Sequence, residues 1–180
     1  MRKVVLFIAS SLDGYIARPS GEIDWLFTDQ DYGYTPFLES IDTVLVGRTT
    51  YEQILTFGEY PYAGKKSYVF TKNPDRTSDQ NIEFVSGDVT SLVKALQSSE
   101  GKDIWLAGGS ALIRDFMHHQ LVDQIILSIH PIILGEGIPL FVNAIAPSSL
   151  KLTQCQRYDS DLVQLSYDVK DRTQNKTIPD

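Results

Sequence analysis

Six short apolar runs, rich in β-branched and aromatic residues, recur through the first three quarters of the chain. They lie at residues 4–9, 43–46, 67–71, 82–85, 104–107 and 124–129. The runs are nearly continuously apolar, which is typical of strands covered on both faces, whereas a half-exposed strand alternates apolar and polar residues. The runs therefore predict a largely parallel sheet with a covering layer on each side.

The segments between these runs have helical periodicity. Apolar residues recur at helical spacing over residues 91–98 and 111–118. A third helix is predicted to begin at Thr49, because Glu52 follows at the spacing of a capping box. Strands that alternate with helices are typical of the α/β class.

The last third of the chain follows a different pattern. From Leu150 onward apolar and polar residues alternate, most clearly over residues 163–169. This period of two predicts an antiparallel hairpin with one solvated face. We therefore expect a mixed, mostly parallel sheet in a single domain over residues 1–171, followed by a flexible polar tail over residues 172–180.

Composition excludes several classes of partner. The formal net charge of −7 opposes binding to nucleic acid, whose affinity depends on basic side chains that neutralise phosphates. No apolar run approaches the ~18 residues of a membrane span. The single cysteine, Cys155, and three histidines, two of them adjacent, lack the ligand spacing of a metal site. We expect a cytoplasmic protein that binds no nucleic acid, membrane or metal.

Two connections between a predicted strand and a predicted helix contain glycine at the strand end. Gly47 is followed by Arg48 and two threonines, and Gly108 and Gly109 precede the helix over residues 111–118. Either connection alone is equally compatible with an ordinary turn. Parallel strands, however, bring their carboxyl ends to one edge of a sheet, where two helix N-termini can hold a diphosphate between them. Together they indicate a dinucleotide.

Four motifs in this order resemble the dihydrofolate reductase family. They read SLDGYIA (11–17), GRTTYE (47–52), IWLAGGSAL (104–112) and HPIILGEGIPLF (130–141). The resemblance is closer to a branch of stand-alone bacterial proteins similar to the reductase domain of riboflavin biosynthesis. It covers residues 1 to about 170 and implies the three-layer fold of that family, with NADPH across the strand ends.

The resemblance also implies which residues bind the cofactor. It places Ala9, Asp13, Gly14 and Ile16 beside the nicotinamide; Gly47, Arg48, Thr49 and Thr50 at the diphosphate and adenosine; Thr71 and Lys72 at the adenosine ribose; and Gly108, Gly109, Ser110, Ala111 and Leu112 on the other flank of the diphosphate. Lys72 has a second interpretation, because an Asn-Pro turn follows it.

The segment between the first two motifs is the predicted substrate region. Trp25, Leu26 and Phe27 are candidates for the pocket wall, and ordinary core packing is an equally good explanation for them. One cation, Arg18, lies in residues 11–42 against seven acidic residues. This balance disfavours a phosphorylated substrate, which normally requires nearby arginine or lysine.

A proton donor would assist hydride addition to a C=N bond. Asp31 is the candidate, because its distance from Gly47 matches that of the acidic residue in dihydrofolate reductases and aromatic residues surround it in sequence. Asp24 and Asp29 are alternatives. A solvated loop carboxylate is a further interpretation, since Pro36 with Thr35 as cap favours a helix that begins after Asp31.

These features predict an NADPH-dependent reductase of a small heterocycle such as a pterin, a pyrimidine or a flavin precursor. The alternative is a protein of the same fold that binds or senses NADPH without turnover, because a fold does not establish a function. We also expect a homodimer, from the resemblance and from apolar residues over 125–134 that a small domain leaves partly uncovered.

Overall fold

The computed structural model describes residues 1–73, 81–142, 145 and 147–170. In chain order the elements are β1 (Val4–Ser11), β2 (Tyr15–Ala17), α1 (Tyr34–Ser40), β3 (Ile41–Gly47), α2 (Arg48–Thr56), β4 (Lys66–Phe70), β5 (Ile82–Val85), α3 (Val89–Ser98), β6 (Asp103–Gly108), α4 (Ser110–His118), β7 (Gln124–His130), β8 (Ile138–Pro139), β9 (Leu150–Arg157) and β10 (Val163–Val169). The predicted tail, residues 172–180, lies outside the described residues.

The main sheet has eight strands in the order β5-β4-β3-β6-β1-β7-β10-β9. Strands β5 to β7 in this order run parallel, while β10 pairs antiparallel with both β7 and β9. The mixed sheet, its six parallel strands and the C-terminal hairpin are therefore confirmed. A second, two-stranded sheet of β2 and β8 was not predicted.

Apolar side chains of the helices pack against both faces of the parallel strands. On one face, α3 and α4 pack on β1 and β6 around Phe116 and Leu6, both fully buried. On the other, Phe37 of α1 stacks on Phe7 with ring centroids 4.3 Å apart, and Tyr51 of α2 packs on Val46. The three-layer fold follows, because a continuously apolar strand needs a cover on each side.

The small sheet closes over the carboxyl end of β1. The chain turns at Gly14, whose φ is +85°, and the Gly14 carbonyl accepts a hydrogen bond from the N–H of Leu140 at 2.8 Å. Gly137 permits this close approach, since a Cβ there would lie 2.3 Å from the carbonyl oxygen of Ala17. The turn after β1 is thereby held against the loop that follows β7.

None of the helices in residues 1–73, 81–142, 145 and 147–170 combines the length and the apolar character that crossing a membrane requires.

Candidate active site

A cavity of about 1000 Å³ follows the carboxyl edge of the parallel strands. It reaches from the ends of β4 and β5, past the starts of α2 and α4, to β1, β2 and β8. The predicted cofactor residues that line it are Ala9, Ile16, Gly47, Arg48, Thr49, Thr50, Thr71, Lys72, Gly109, Ser110, Ala111 and Leu112. Residues from five separate segments of the sequence thus meet in one cavity.

The two glycine connections lie against each other at the middle of the cavity. Strands β3 and β6 are direct neighbours, with Val46 opposite Gly108. A Cβ on Gly109 would lie 3.9 Å from the Cα of Gly47 and 3.1 Å from Oγ1 of Thr50, and the φ of Gly109 is +94°. The positive φ and the small space both favour glycine at this position.

The helices that begin here have open N-termini. Gly47 and Gly109 are the N-caps of α2 and α4, and no side chain caps either helix. In contrast, the Asp88 carboxylate caps α3 by accepting hydrogen bonds from the N–H groups of Thr90 and Ser91. The predicted capping box at Thr49 is wrong, because the helix already begins at Arg48. Free N–H groups and two helix dipoles therefore point into the cavity, which favours an anion.

Two cations line the cavity on the side of β3 and β4. Arg48 forms an ion pair with Glu52, Nε to Oε1 at 2.9 Å, and both side chains remain about two-fifths exposed. Lys72 is exposed after β4, in a turn where Oγ1 of Thr71 accepts a hydrogen bond from the N–H of Asn73 at 3.2 Å. Lys72 therefore belongs both to this turn and to the cavity wall. Residues 74–80 lie outside the described residues.

Three residues predicted at the cofactor are not among those that line the cavity: Asp13, Gly14 and Gly108. The exposed Asp13 carboxylate accepts hydrogen bonds from Oγ of Ser11 at 2.6 Å and from the N–H groups of Leu134 and Gly135. The Ser11 hydrogen bond, with the two backbone bonds, lowers the pKa of Asp13. Asp13 therefore holds the β1–β2 turn against the loop after β7.

The three residues predicted for the substrate pocket separate in the structure. Leu26 lines the cavity. Trp25 is buried and packs edge-on against His130, with ring centroids 5.2 Å apart, and Phe27 packs on the same histidine at 4.9 Å. Core packing thus explains Trp25, Phe27 is exposed and contacts His130 from the surface, and of the three only Leu26 is a wall residue.

His130 anchors this segment to the end of β7. Its Nε2 accepts a hydrogen bond from the N–H of Phe27 at 3.1 Å, which requires an unprotonated nitrogen. Burial lowers the pKa of His130 against a smaller opposing effect of the Ser128 backbone. The imidazole is therefore neutral when it holds the segment 25–27 beside the cavity.

This pairing predicts a pH dependence of stability. An unfolded histidine has an ordinary pKa of about 6.5, and that of folded His130 is lower, so the unfolded chain binds more protons in this range. We expect the free energy of unfolding to fall as the pH decreases from about 6.5 towards the folded-state pKa. Urea titrations at several pH values measure this free energy, which should decrease less for His130→Gln than for the wild type. The same pH dependence in both proteins would contradict the role of His130.

Asp31 lies just before α1, where its exposed carboxylate accepts hydrogen bonds from the N–H of Thr35 at 3.0 Å and from Oγ1 of Thr35 at 2.5 Å. The helix begins after Asp31, as Pro36 indicated, with Gly33 as the N-cap. The expected cap by Thr35 is wrong, and so are the expected apolar surroundings of Asp31, because the side chain is exposed. Asp31 does not line the cavity.

The alternative carboxylates in this segment also have partners. Asp24 accepts two hydrogen bonds from Arg18, at 2.6 and 2.9 Å, and this hydrogen bonding is the main cause that lowers the pKa of Asp24. Asp29 accepts a hydrogen bond from the Tyr32 hydroxyl at 2.7 Å. In the described part of the chain, no group of three or more His, Cys, Asp or Glu side chains is placed to hold a metal ion.

Several wall residues were not predicted. Val85 ends β5 and Ser86 and Gly87 follow it, and the rule that ligands lie at the carboxyl ends of parallel strands would have found them. Ile138 lines the cavity from β8, a strand of two residues that is too short to show a sequence period. Gln53 and Phe57 reach it from α2 and from its C-cap.

Comparison with solved structures places the fold among known reductases. A candidate riboflavin biosynthesis protein from Shewanella sp. PV-4 is 27% identical, with a TM-score of 0.81 over 94% of this chain and 99% of that one. The Enterococcus faecalis dihydrofolate reductase complexed with NADP(H) is 16% identical and has a TM-score of 0.70 over 94% of this chain and 97% of that one. At 16% identity, the similarity to this dihydrofolate reductase supports the fold alone.

A Thermotoga maritima diaminohydroxyphosphoribosylaminopyrimidine deaminase/5-amino-6-(5-phosphoribosylamino)uracil reductase has a TM-score of 0.73 at 19% identity, over 94% of this chain and 57% of that one. At the level of sequence, Bacillus subtilis (strain 168) YwjB is 39% identical over 170 residues, which are 92% of this chain and 97% of YwjB. A sequence profile of the RibD C-terminal domain matches residues 2–164. The chain therefore belongs to the RibD C-terminal domain family.

Proposed function

We propose that this protein is an NADPH-dependent reductase of a small heterocycle. The observation that carries the proposal is the pair of uncapped helix N-termini that meet at Gly47 and Gly109 within one cavity. Family membership supports a reductase of the RibD type, and the dihydrofolate reductase with the same fold was solved with NADP(H). The family and the anion-binding geometry thus point to the same chemistry.

The residues present fit a dinucleotide along the strand ends. Neighbouring strands are about 4.8 Å apart, so the cavity from β5 to β1 crosses roughly 20 Å of sheet edge. The N–H groups at the starts of α2 and α4 would take the central diphosphate, and Arg48 with Lys72 the phosphorylated adenosine. Ala9 and Ile16 would then contact the nicotinamide at the β1 end. When bound, NADPH would supply the hydride for the reduction.

Turnover separates the proposed reductase from a protein that only binds the cofactor. The test is NADPH oxidation in the presence of pterins, aminopyrimidines and flavin precursors, alongside NADPH affinity measured by calorimetry. Oxidation with one of these heterocycles supports the reductase. Tight binding without oxidation across the panel would favour a binding or sensing protein, and no binding would refute both.

We predict that NADPH binds at least ten times more tightly than NADH. Arg48 and Lys72 can contact the 2′-phosphate that only NADPH carries, and a charge-assisted hydrogen bond contributes about 1.5–3 kcal/mol. Arg48→Ala should remove most of the preference in calorimetric titrations. Arg157→Ala is the matched control, because it removes an arginine with the same i,i+4 ion pair, to Asp161, outside the cavity wall. Equal affinities of the wild type for both cofactors would contradict the assignment.

We also propose a homodimer, with an interface on the edge strand β9 and not on the apolar residues over 125–134 that the sequence suggested. Ile125 is buried in the core, whereas every residue of the edge strand β9 is exposed, including Leu152. An exposed edge strand offers unpaired backbone groups to a second copy. Light scattering should give twice the chain mass of 20.2 kDa, and Leu152→Lys should give the monomer. Dissociation by Ile133→Lys instead would move the interface to the loop after β7, and a monomeric wild type would refute the dimer.

A further inference from the structure

The two ends of the cavity differ in chemistry. Of the described residues that line it, only Arg48 and Lys72 are basic, and they follow β3 and β4. The opposite wall, around β1, is formed by apolar side chains: Ala9, Ile16, Ala17, Ile23, Leu26 and Ile138. Strand β6 separates β3 from β1, so the cations and the apolar wall lie on different sides of the helix N-termini.

The cation next to the apolar wall is already paired. Arg18 directly follows Ala17, but its Nε and Nη2 both donate to the Asp24 carboxylate, at 2.6 and 2.9 Å. The exposed carboxylates of Asp29 and Asp31 lie further along the same segment. A phosphate group at this end would therefore have to compete with Asp24 for Arg18.

Hydride transfer requires the reacting carbon to lie about 3–3.5 Å from its donor. With the diphosphate between α2 and α4 and the adenosine beside Arg48, the nicotinamide and the substrate must share the β1 end. We infer, on the basis of the proposed function, that the substrate is an uncharged, unphosphorylated ring compound that binds against the apolar wall. One hydride from NADPH and one proton, which the proton donor takes up again from solvent, add across its C=N or conjugated C=C bond, and NADP⁺ is the second product.

A matched pair of compounds tests this inference directly. The pair is 5-amino-6-(5-phosphoribosylamino)uracil and the same compound without its phosphate, titrated by calorimetry into the protein saturated with NADP⁺; a pterin and cyclohexenone are further uncharged probes. We expect the dephosphorylated member to bind roughly 10- to 100-fold more tightly, the ratio that an unmade charge-assisted hydrogen bond implies.

A variant adds a gain-of-function test. Leu26→Arg places a cation on the apolar wall and should reduce the preference at least about tenfold. Ile133→Arg, at a residue that is 70% exposed and outside the wall, should leave it unchanged.

Two results would overturn the inference: equal or tighter binding of the phosphorylated member to the wild type, or binding of none of the three uncharged compounds. Tighter binding of the dephosphorylated compound without any NADPH oxidation would count against the proposed reductase, but not against the inferred selectivity of the apolar wall.

Discussion

Gly109→Ala is expected to weaken NADPH binding about 100-fold. The new methyl group would lie 3.1 Å from Oγ1 of Thr50, in the gap where the starts of α2 and α4 meet. It would push the diphosphate away from the N–H groups, and two charge-assisted hydrogen bonds of about 1.5 kcal/mol each correspond to this factor. Calorimetric titration of both proteins with NADPH measures the change.

The control for Gly109→Ala must also add a methyl group at a glycine with a positive φ. Gly135 also has a positive φ, +78°, and a Cβ there would meet nothing within 4 Å. Gly135→Ala should therefore lower the free energy of unfolding and leave NADPH affinity nearly unchanged, since it fills no part of the cavity. If Gly109→Ala binds NADPH as tightly as the wild type, the diphosphate does not lie between the two helices.

Asp31→Asn is expected to slow the reduction by about 10²-fold once a substrate is known. We propose Asp31 as the group that delivers a proton to the reduced substrate, and general acids contribute roughly 10²–10⁴-fold. The lower end applies because the carboxylate is exposed, so water can partly replace it. Tyr34, which follows in α1, contacts Phe7 with centroids 6.1 Å apart, and Phe7 lies two residues before Ala9 on the same face of β1.

Asparagine keeps the fold comparable, because its side-chain oxygen can still accept hydrogen bonds from Thr35. NADPH affinity should therefore be unchanged while the rate falls. Asp24→Asn and Asp29→Asn are the comparisons, and a loss of rate in either one with full activity of Asp31→Asn would reassign the donor. If all three variants remain fully active, the proton comes directly from solvent.

The elements with a clear period could be predicted from sequence. Nearly continuous apolar runs predicted the six parallel strands, and helical spacing predicted α3 and α4, because each pattern reflects burial that repeats along the element. Strands β2 and β8 were missed, since three and two residues are too few to establish a period. Only their pairing, which the close approach of Gly137 to Ala17 allows, makes them strands.

The two glycine connections also followed from the sequence, because glycine at the end of a parallel strand implies close approach at one sheet edge. The sequence did not predict that β3 and β6 are direct neighbours, because the order of strands in a sheet depends on the tertiary structure.

For the aromatic and acidic residues between β2 and α1, the sequence could not predict which side chains face the cavity, the core or solvent. Trp25 and Leu26 are both apolar, and hydrophobicity alone does not distinguish a cavity wall from a core. His130, more than a hundred residues later, holds Trp25 in the core and leaves Leu26 at the wall. Likewise the exposure of Asp31 depends on where α1 begins. The sequence by itself thus determined the six parallel strands, helices α3 and α4 and the glycines at two strand ends, because these depend on local periodicity and backbone conformation. The tertiary structure alone decided which side chains face the cavity, because that depends on partners distant in the chain.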